Sequence, residues 1–243
     1  MTEMVATQER LGWSSGRIVD IITETPRAKR LVIDVPSWKG HCPGQHVDVR
    51  LSAEDGYQTQ RSYSIASAPE DKQLTLVVGR LDNGEVSPCL IDELRVDDRL
   101  HLRGPIGSYF IWEVDPSGPL LLVAGGSGIA PLMAMIRHRA AVGSDVPIRL
   151  LYSSRSPEDI IYREELDHFA RTDKSFEVIY TFTRTQPPDR TSYGRRIDTK
   201  MLGEVAWYTD KKPLAFVCGP TPLVETVVTG LIELGYERMR VKT

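Results

Sequence analysis

Apolar and polar residues alternate over short stretches in the first 113 residues of the chain. Two clear examples are residues 46–51 (H-V-D-V-R-L) and residues 99–103 (R-L-H-L-R). A period of two indicates strands with one buried face, and turn residues such as 82–84 (D-N-G) separate these stretches. Six short strands are expected to close into an antiparallel barrel, because closure removes unpaired edges. We predict them at 17–23, 29–35, 46–51, 60–65, 73–80 and 99–103.

From residue 119 onward, short apolar runs alternate with helical stretches. This order predicts a parallel sheet with helices on both faces. The predicted strands are 120–124, 148–152, 177–182 and 214–217, and the predicted helices are 131–142, 157–171, 199–204 and 222–234. A turn-rich stretch at 115–119 (D-P-S-G-P) marks the boundary. The sequence thus predicts an antiparallel β-barrel domain over 1–114 and an α/β parallel-sheet domain over 118–243.

Composition narrows the possible functions. With 243 residues, 41% hydrophobic, 26% charged and a formal charge of −3, the chain has the composition of a globular protein and lacks a basic nucleic-acid footprint. Its three cysteines are far apart, which disfavours a disulfide framework or an iron–sulfur cluster, and its five histidines show no metal-ligand spacing. We therefore expect no metal site, and any redox cofactor should be organic or belong to a partner.

The same sequence bears on location. Residues 1–10 carry charges and no apolar core, so they do not resemble a signal peptide. The longest apolar run, 120–124, is too short to cross a bilayer. A cytoplasmic location without membrane attachment is the expectation.

Residues 61–64 (R-S-Y-S) are a candidate flavin site on a barrel strand. The planar guanidinium of Arg61 can bind a pyrophosphate. Tyr63 points to the same side of the strand and can pack against a flat ring. Ser64 could place a hydroxyl at the flavin N5. The alternative is an ordinary barrel strand with an exposed arginine and a half-buried tyrosine, which would have the same sequence pattern.

Residues 84–87 (G-E-V-S) precede a short predicted helix at 89–94, with Ser87 as its N-cap and Pro88 at its first position. A helix N-terminus offers free N–H groups to phosphate. A second phosphate anchor favours FAD over a mononucleotide flavin. A hairpin turn followed by a simple cap is the alternative.

Residues 125–131 (G-G-S-G-I-A-P) follow an apolar strand and open a helix. Glycines at this point let the backbone approach a pyrophosphate closely. The segment is neither the G-x-G-x-x-G fingerprint nor a P-loop. A tight strand-to-helix turn without a ligand is the alternative.

Two further features concern the nicotinamide nucleotide. The second and third parallel strands end in Ser154-Arg155 and Thr183-Arg184, and Arg196 follows in the next loop. Cations and hydroxyls at strand ends suit a 2′-phosphate, which favours NADPH over NADH, although solvated surface arginines would look alike. After the last strand, Cys218 could face the nicotinamide ring or serve as a small buried hydrophobe.

Together these segments resemble the ferredoxin–NADP reductase superfamily, and the resemblance covers nearly the whole chain. The family's motifs R-x-Y-S, G-x-V-S, G-P-x-G-x-F, G-G-x-G-I-x-P and C-G-P match residues 61–64, 84–87, 104–110, 125–131 and 218–220, the third with its aromatic pair offset by one residue. Many relatives continue past the last strand with an acidic residue and an aromatic, where this chain ends at 240–243. A flavin cover from that tail is therefore expected to be absent or supplied by a partner.

The resemblance implies an antiparallel flavin barrel followed by an NAD(P) domain. It also implies an oxidoreductase that passes hydride from NADPH or NADH to N5 of FAD, and then electrons to a separate acceptor such as a ferredoxin or an oxygenase component. A free-flavin reductase and a flavin-binding electron-transfer subunit without nicotinamide activity are the alternatives.

The residues expected nearest the reacting rings are Ser64, Tyr63 and Cys218. The predicted cofactor-binding residues, for flavin and nicotinamide nucleotide together, are Arg61, Ser62, Tyr63, Ser64, Val78, Arg80, Gly84, Val86, Ser87, Gly126, Ser127, Gly128, Ile129, Ala130, Ser154, Arg155, Thr183, Arg184, Arg196, Cys218, Gly219 and Pro220.

Overall fold

The computed structural model describes residues 12–52, 56–81, 83–114, 118–187 and 192–243. Residue 82 of the predicted turn, residues 115–117 of the predicted boundary and the charged N-terminal stretch 1–10 lie outside the described residues.

The first part of the chain is a six-stranded antiparallel sheet in the order β4-β3-β6-β1-β2-β5. An antiparallel bridge between Ile65 and Leu76 joins the two outer strands and closes the sheet into the predicted barrel. The alternating stretch at 46–51 places Val47 and Val49 in the core with no exposed surface. The strands are β1 (Ser14–Thr25), β2 (Ala28–Asp34), β3 (His46–Ser52), β4 (Gln58–Ser64), β5 (Leu74–Gly79) and β6 (Arg99–Ile106).

The short helix between β5 and β6 begins earlier than its sequence predicts. Helix α1 (Val86–Pro88) continues directly into a π-helical turn, Cys89–Glu93. Ser87 is not the N-cap: it lies inside the helix, and its hydroxyl accepts a hydrogen bond from the Leu81 N–H at 3.0 Å. The reason is that Val86 packs in the barrel core, which draws the first turn inward.

The second part is a five-stranded parallel sheet in the order β11-β10-β7-β8-β9. Helices cover both faces, as predicted. Leu120 and Leu122 of β7 pack with α2 and α3, whereas Leu121 and Val123 pack with α4 and α5. The elements are β7 (Leu120–Gly125), α2 (Ile129–Ala141), β8 (Ile148–Ser154), α3 (Arg163–Thr172), β9 (Phe176–Phe182), α4 (Thr199–Val205), β10 (Leu214–Cys218), α5 (Thr221–Glu233) and β11 (Val241–Lys242).

The single helix predicted at 157–171 is wrong. A 3-10 turn (Pro157–Asp159) is followed by an extended residue, Ile160, and by Tyr162 in the left-handed region at φ 61°, before α3 begins. Ile160, Ile161 and Tyr162 are all buried. Three consecutive buried side chains cannot share one face of a surface helix, so the chain turns sharply there.

The two parts of the molecule share one apolar core. Ala28, Ala66 and Val77 of the barrel belong to the same buried cluster as Trp112 and most of α2. Since buried apolar surface stabilises by about 25 cal/mol per Å², this shared packing fixes the barrel against the parallel sheet.

A half-buried histidine, His41, lies just outside the barrel strands. The Trp38 indole N–H donates to His41 Nδ1 at 3.3 Å, which leaves Nε2 to donate to the Ser67 carbonyl at 3.0 Å. This pairing uses the neutral ring, and burial lowers the pKa of His41 from its usual value of 6.5.

We predict a pH-dependent loss of stability from this residue. Because the unfolded chain takes up the proton first, the contribution of His41 is complete above its unfolded pKa of 6.5. It is lost as the pH falls through the lowered pKa of the folded state. Urea unfolding at about pH 7.5 and about pH 5.5 should show a smaller fall in unfolding free energy for His41→Gln than for the unmodified chain. The exposed His168→Gln is the control, and equal falls in all three proteins would contradict the assignment.

Candidate functional site

The strand order of the parallel sheet reverses at β7, which is where open α/β sheets have a crevice. Strands β8 and β9 lie on one side of β7, and β10 and β11 lie on the other. Ligands of open α/β sheets bind at the carboxyl ends of the strands at such a point. The glycine-rich turn (residues 125–128) follows β7, and the C-G-P segment (218–220) follows β10. The fold therefore brings the two predicted nucleotide motifs to the same crevice.

The backbones of these two segments are in close contact. A Cβ atom built on Gly128 would lie 2.2 Å from the Cys218 carbonyl oxygen, so only glycine fits there. Gly126 has φ 54°, in the region that favours glycine, and a Cβ built on it would meet no atom within 4 Å. The first N–H groups of the helix that follows have no acceptor within the helix and suit a phosphate. The turn thus has the open, glycine-lined shape that a dinucleotide phosphate requires.

Cys218 borders the crevice as a neutral thiol. Burial raises the pKa of its side chain to about 11. A thiol with this pKa is protonated at neutral pH and is a poor nucleophile. The Cys218 side chain is small enough to leave room for a ring beside it.

The predicted arginines lie at the carboxyl edge of β8 and β9. The Arg184 N–H donates to the Arg155 carbonyl at 2.9 Å, and the Thr183 hydroxyl donates to the Ser154 carbonyl at 3.3 Å. Arg155 and Arg184 are exposed side by side. Arg196 is also exposed. The residue before it, Arg195, is linked to β9, because its carbonyl accepts a hydrogen bond from the Thr181 hydroxyl.

Strand β4 presents Arg61 and Tyr63 on one side. Tyr63 is half-buried against the barrel core, and burial raises its pKa to about 12. Ser62 points the other way, because its hydroxyl donates to Asp48 at 2.7 Å. Ser64 ends the strand, opposite His46 of β3.

Two other predicted barrel residues are engaged within the protein. Val78 lies in the barrel core with no exposed surface. Arg80 forms an ion pair with Asp92. Val78 belongs to the same core cluster against which Tyr63 packs.

The two predicted phosphate anchors of the barrel are neighbours across a cleft. The hydroxyls of Tyr57 and Thr59, on the Arg61 side of β4, donate to the Glu85 carboxylate at 3.2 Å and 3.4 Å. Glu85 belongs to the 84–87 segment and was not in the predicted set. The sequence signal for Glu85 is that it is an acidic residue within the predicted phosphate anchor.

The barrel meets helix α2 and the glycine-rich turn at the domain interface. Arg137 of α2 donates to the Ala66 carbonyl at 2.7 Å, two residues beyond Ser64. A Cβ built on Gly79, at the end of β5, would lie 3.4 Å from Ser127 Oγ. The interface therefore places the end of the barrel beside the nucleotide crevice.

The described residues contain neither a membrane-spanning helix nor a group of metal ligands. None of the described helices is both long and apolar enough to span a membrane. In the described part of the chain, no three His, Cys, Asp or Glu side chains are grouped as metal ligands would be.

The comparisons with known proteins bear on both parts. Residues 16–111 match the family model "Oxidoreductase FAD-binding domain", and residues 122–229 match "Oxidoreductase NAD-binding domain". A ferredoxin NADP+ reductase from Neisseria gonorrhoeae, solved with bound FAD and NADP, has the same fold, with a TM-score of 0.79 at 20% identity over 94% of each chain. The chain belongs to the ferredoxin–NADP reductase superfamily. The resemblance and the two-part fold expected from the sequence are thereby confirmed.

Similar curated members of the superfamily serve oxygenases. The glycine betaine monooxygenase reductase subunit of Pseudomonas aeruginosa is 31% identical over 236 residues, covering 94% of this chain and 64% of that protein. The toluate 1,2-dioxygenase electron transfer component of Pseudomonas putida is 32% identical over 191 residues, covering 76% of this chain and 52% of that protein. The chain thus spans about half to two thirds of the length of these relatives.

We predict that the close backbone approach at Gly128 is required for the site. Gly128→Ala places a methyl group against the Cys218 carbonyl, so it should lower the melting temperature by several degrees (about 2–4 °C per kcal/mol) and abolish nucleotide binding. Thermal unfolding and calorimetric titration with NADP+ and NAD+ measure both effects.

Gly203→Ala in α4 is the matched control. Its nearest neighbour would be 3.7 Å from the new methyl group, and alanine is favoured over glycine inside a helix by about 0.5–1 kcal/mol. It should keep or raise the melting temperature. Unchanged stability and affinity in Gly128→Ala would show that the contact is dispensable.

Proposed function

We propose that the chain is an FAD-dependent NAD(P)H reductase that supplies electrons to a separate acceptor, such as an oxygenase component or a ferredoxin. The two matched domain models support the cofactors, and the names of the relatives support the class of acceptor. The supporting observation with most weight is the contact of Ser127 with Gly79, which brings the nucleotide turn beside the barrel.

The barrel residues would hold FAD. Its bound flavin supplies the chemistry of accepting hydride and releasing electrons. The Arg61 fork would bind the pyrophosphate, and the turn at Gly84, Val86 and Ser87 would offer backbone N–H groups to it. Tyr63 would pack on the ring and Ser64 would direct its hydroxyl toward N5.

The parallel-sheet residues would hold the nicotinamide nucleotide. The segment from Gly126 to Ala130 would bind its pyrophosphate, with α2 behind it. The protonated thiol of Cys218 would border the nicotinamide, and the tight Gly219-Pro220 backbone would keep that end of the crevice open. We assign 1–114 to the FAD domain and 118–243 to the NAD(P) domain. A cytoplasmic location stays a prediction.

Anaerobic reduction tests the proposed function directly. The purified protein should be yellow, and its flavin band at about 450 nm should bleach when NADPH or NADH is added. A yellow protein that neither nucleotide reduces would indicate an electron-transfer subunit. A colourless protein that reduces added flavin would indicate a free-flavin reductase.

We also propose that NADPH is preferred, through Arg155, Arg184 and Arg196. Loss of a charge-assisted hydrogen bond to the 2′-phosphate should raise the KM for NADPH about tenfold in Arg155→Ala and Arg184→Ala, and leave the KM for NADH unchanged. Steady-state kinetics with both nucleotides measure this. The exposed Arg171→Ala, on the far end of α3, is the control. Equal losses with both nucleotides would refute the 2′-phosphate assignment.

A further inference from the structure

A buried tyrosine hydroxyl is hydrogen-bonded to the glycine-rich turn from inside the protein. Tyr152 of β8 has no exposed surface. Its hydroxyl donates to the Gly126 carbonyl at 3.0 Å and accepts from the Ile161 N–H at 3.2 Å. Both the donor and an acceptor site of this hydroxyl are therefore used within the fold.

These bonds fix the orientation of one peptide group. The Gly126 carbonyl also accepts the Ile129 N–H at the start of α2, so two donors hold it from different directions. In a planar trans peptide the C=O and the following N–H point in opposite directions. Because the Gly126 carbonyl is directed toward the buried Tyr152, the N–H of Ser127 is directed away from it, on the exposed side of the turn.

We infer that Tyr152 is a positioning residue for the nucleotide: it presets the Gly126–Ser127 peptide so that the Ser127 N–H faces a phosphate of the incoming NAD(P)H. This inference rests on the proposed function. A preset donor binds more tightly because less ordering is needed on binding. Gly126 needs such support, since at φ 54° it has no side chain to restrict it.

The support extends to the barrel. Next to Ile161, the Tyr162 N–H donates to the Glu24 carboxylate of β1 at 2.9 Å. The Tyr162 ring lies between two guanidinium groups, with Arg30 of the barrel 5.2 Å and Arg137 of α2 4.6 Å from its centre. Ile161, whose N–H donates to Tyr152, is therefore followed by a residue that is held from the barrel side.

The central test is Tyr152→Phe in the FAD-loaded protein, which removes the hydroxyl and keeps the ring. We expect calorimetric titration to show binding of NADP+ and NAD+ weakened about five- to tenfold. The rate of flavin reduction at saturating nucleotide should stay within about twofold, because the hydroxyl is not near the reacting atoms. Amide hydrogen exchange at Ile129, whose N–H donates to the same Gly126 carbonyl, should become faster, a readout that does not depend on turnover.

Tyr180→Phe is the matched control. It removes the hydroxyl of a half-buried tyrosine on the neighbouring strand β9, whose hydrogen bond goes to Asp167 at 3.0 Å. Both variants should lose some thermal stability. Only Tyr152→Phe should change nucleotide affinity and the exchange rate of the Ile129 amide.

A second variant covers the case in which Tyr152→Phe does not fold. Glu24→Ala frees the Tyr162 N–H from the barrel and should weaken nucleotide binding in the same direction by a smaller factor. In the variant that carries both substitutions, the fold-loss of nucleotide affinity should be smaller than the product of the two single fold-losses. The reason is that both residues act through one hydrogen-bond network. Independent effects would contradict the coupling.

The outcomes separate this inference from the proposed function. If the unmodified protein binds and is reduced by nucleotide, while Tyr152→Phe shows the same affinities and the same Ile129 exchange, only the inference is overturned. If the unmodified protein neither binds nor is reduced by nucleotide, the proposed function fails and the inference fails with it.

Discussion

The packing of α2 against both sheets is the constraint on which the rest of the structure depends. The helix begins at the nucleotide turn, and its residues from Ile129 to Ile136 are buried almost without interruption. One side meets the parallel sheet and another meets Ala28, Ala66 and Val77 of the barrel. A helix enclosed in this way cannot rotate or slide without exposing apolar surface. The position of the crevice relative to the barrel is therefore set by core packing.

Polar contacts then add direction to this packing. The hydrogen bond from Arg137 to the Ala66 carbonyl and the pair of bonds made by Tyr152 involve backbone groups at the two edges of the site. Buried polar groups need such partners, since an unpaired one costs about 1–3 kcal/mol. The same bonds that satisfy these groups also fix the orientation of the peptides at those edges. Stability and preorganisation of the site thus have a common source.

The sequence was sufficient for the elements with strong periodicity. The alternating stretch at 46–51 and the apolar run at 120–124 became strands β3 and β7 with bounds shifted by one residue at most. It failed where tertiary contacts override local pattern. The break at Tyr162 depends on a carboxylate about 140 residues away, in Glu24, and the strand at Val241–Lys242 is too short for any period to register.

The site shows the same division. Motif residues such as Gly126, Gly128 and Cys218 could be named from local spacing, because backbone geometry at a turn is a local property. The part played by Tyr152 could not, since the tyrosine looks like an ordinary core residue of an apolar strand. Its partner carbonyl lies 26 positions earlier in the chain. A buried side chain that contacts a site from the protein interior, far from it in sequence, forms no local sequence motif.

The exposed edge formed by Arg155 and Arg184 lies outside the shared core, and this has a consequence for divergence. Substitutions at these two surface positions disturb no buried packing, and exposed positions of this kind tolerate change within about 0.5 kcal/mol. Substitutions in α2, by contrast, act on both sheets at once. Over evolutionary time, related chains can therefore change the charge of this edge while the shared core is inherited unchanged.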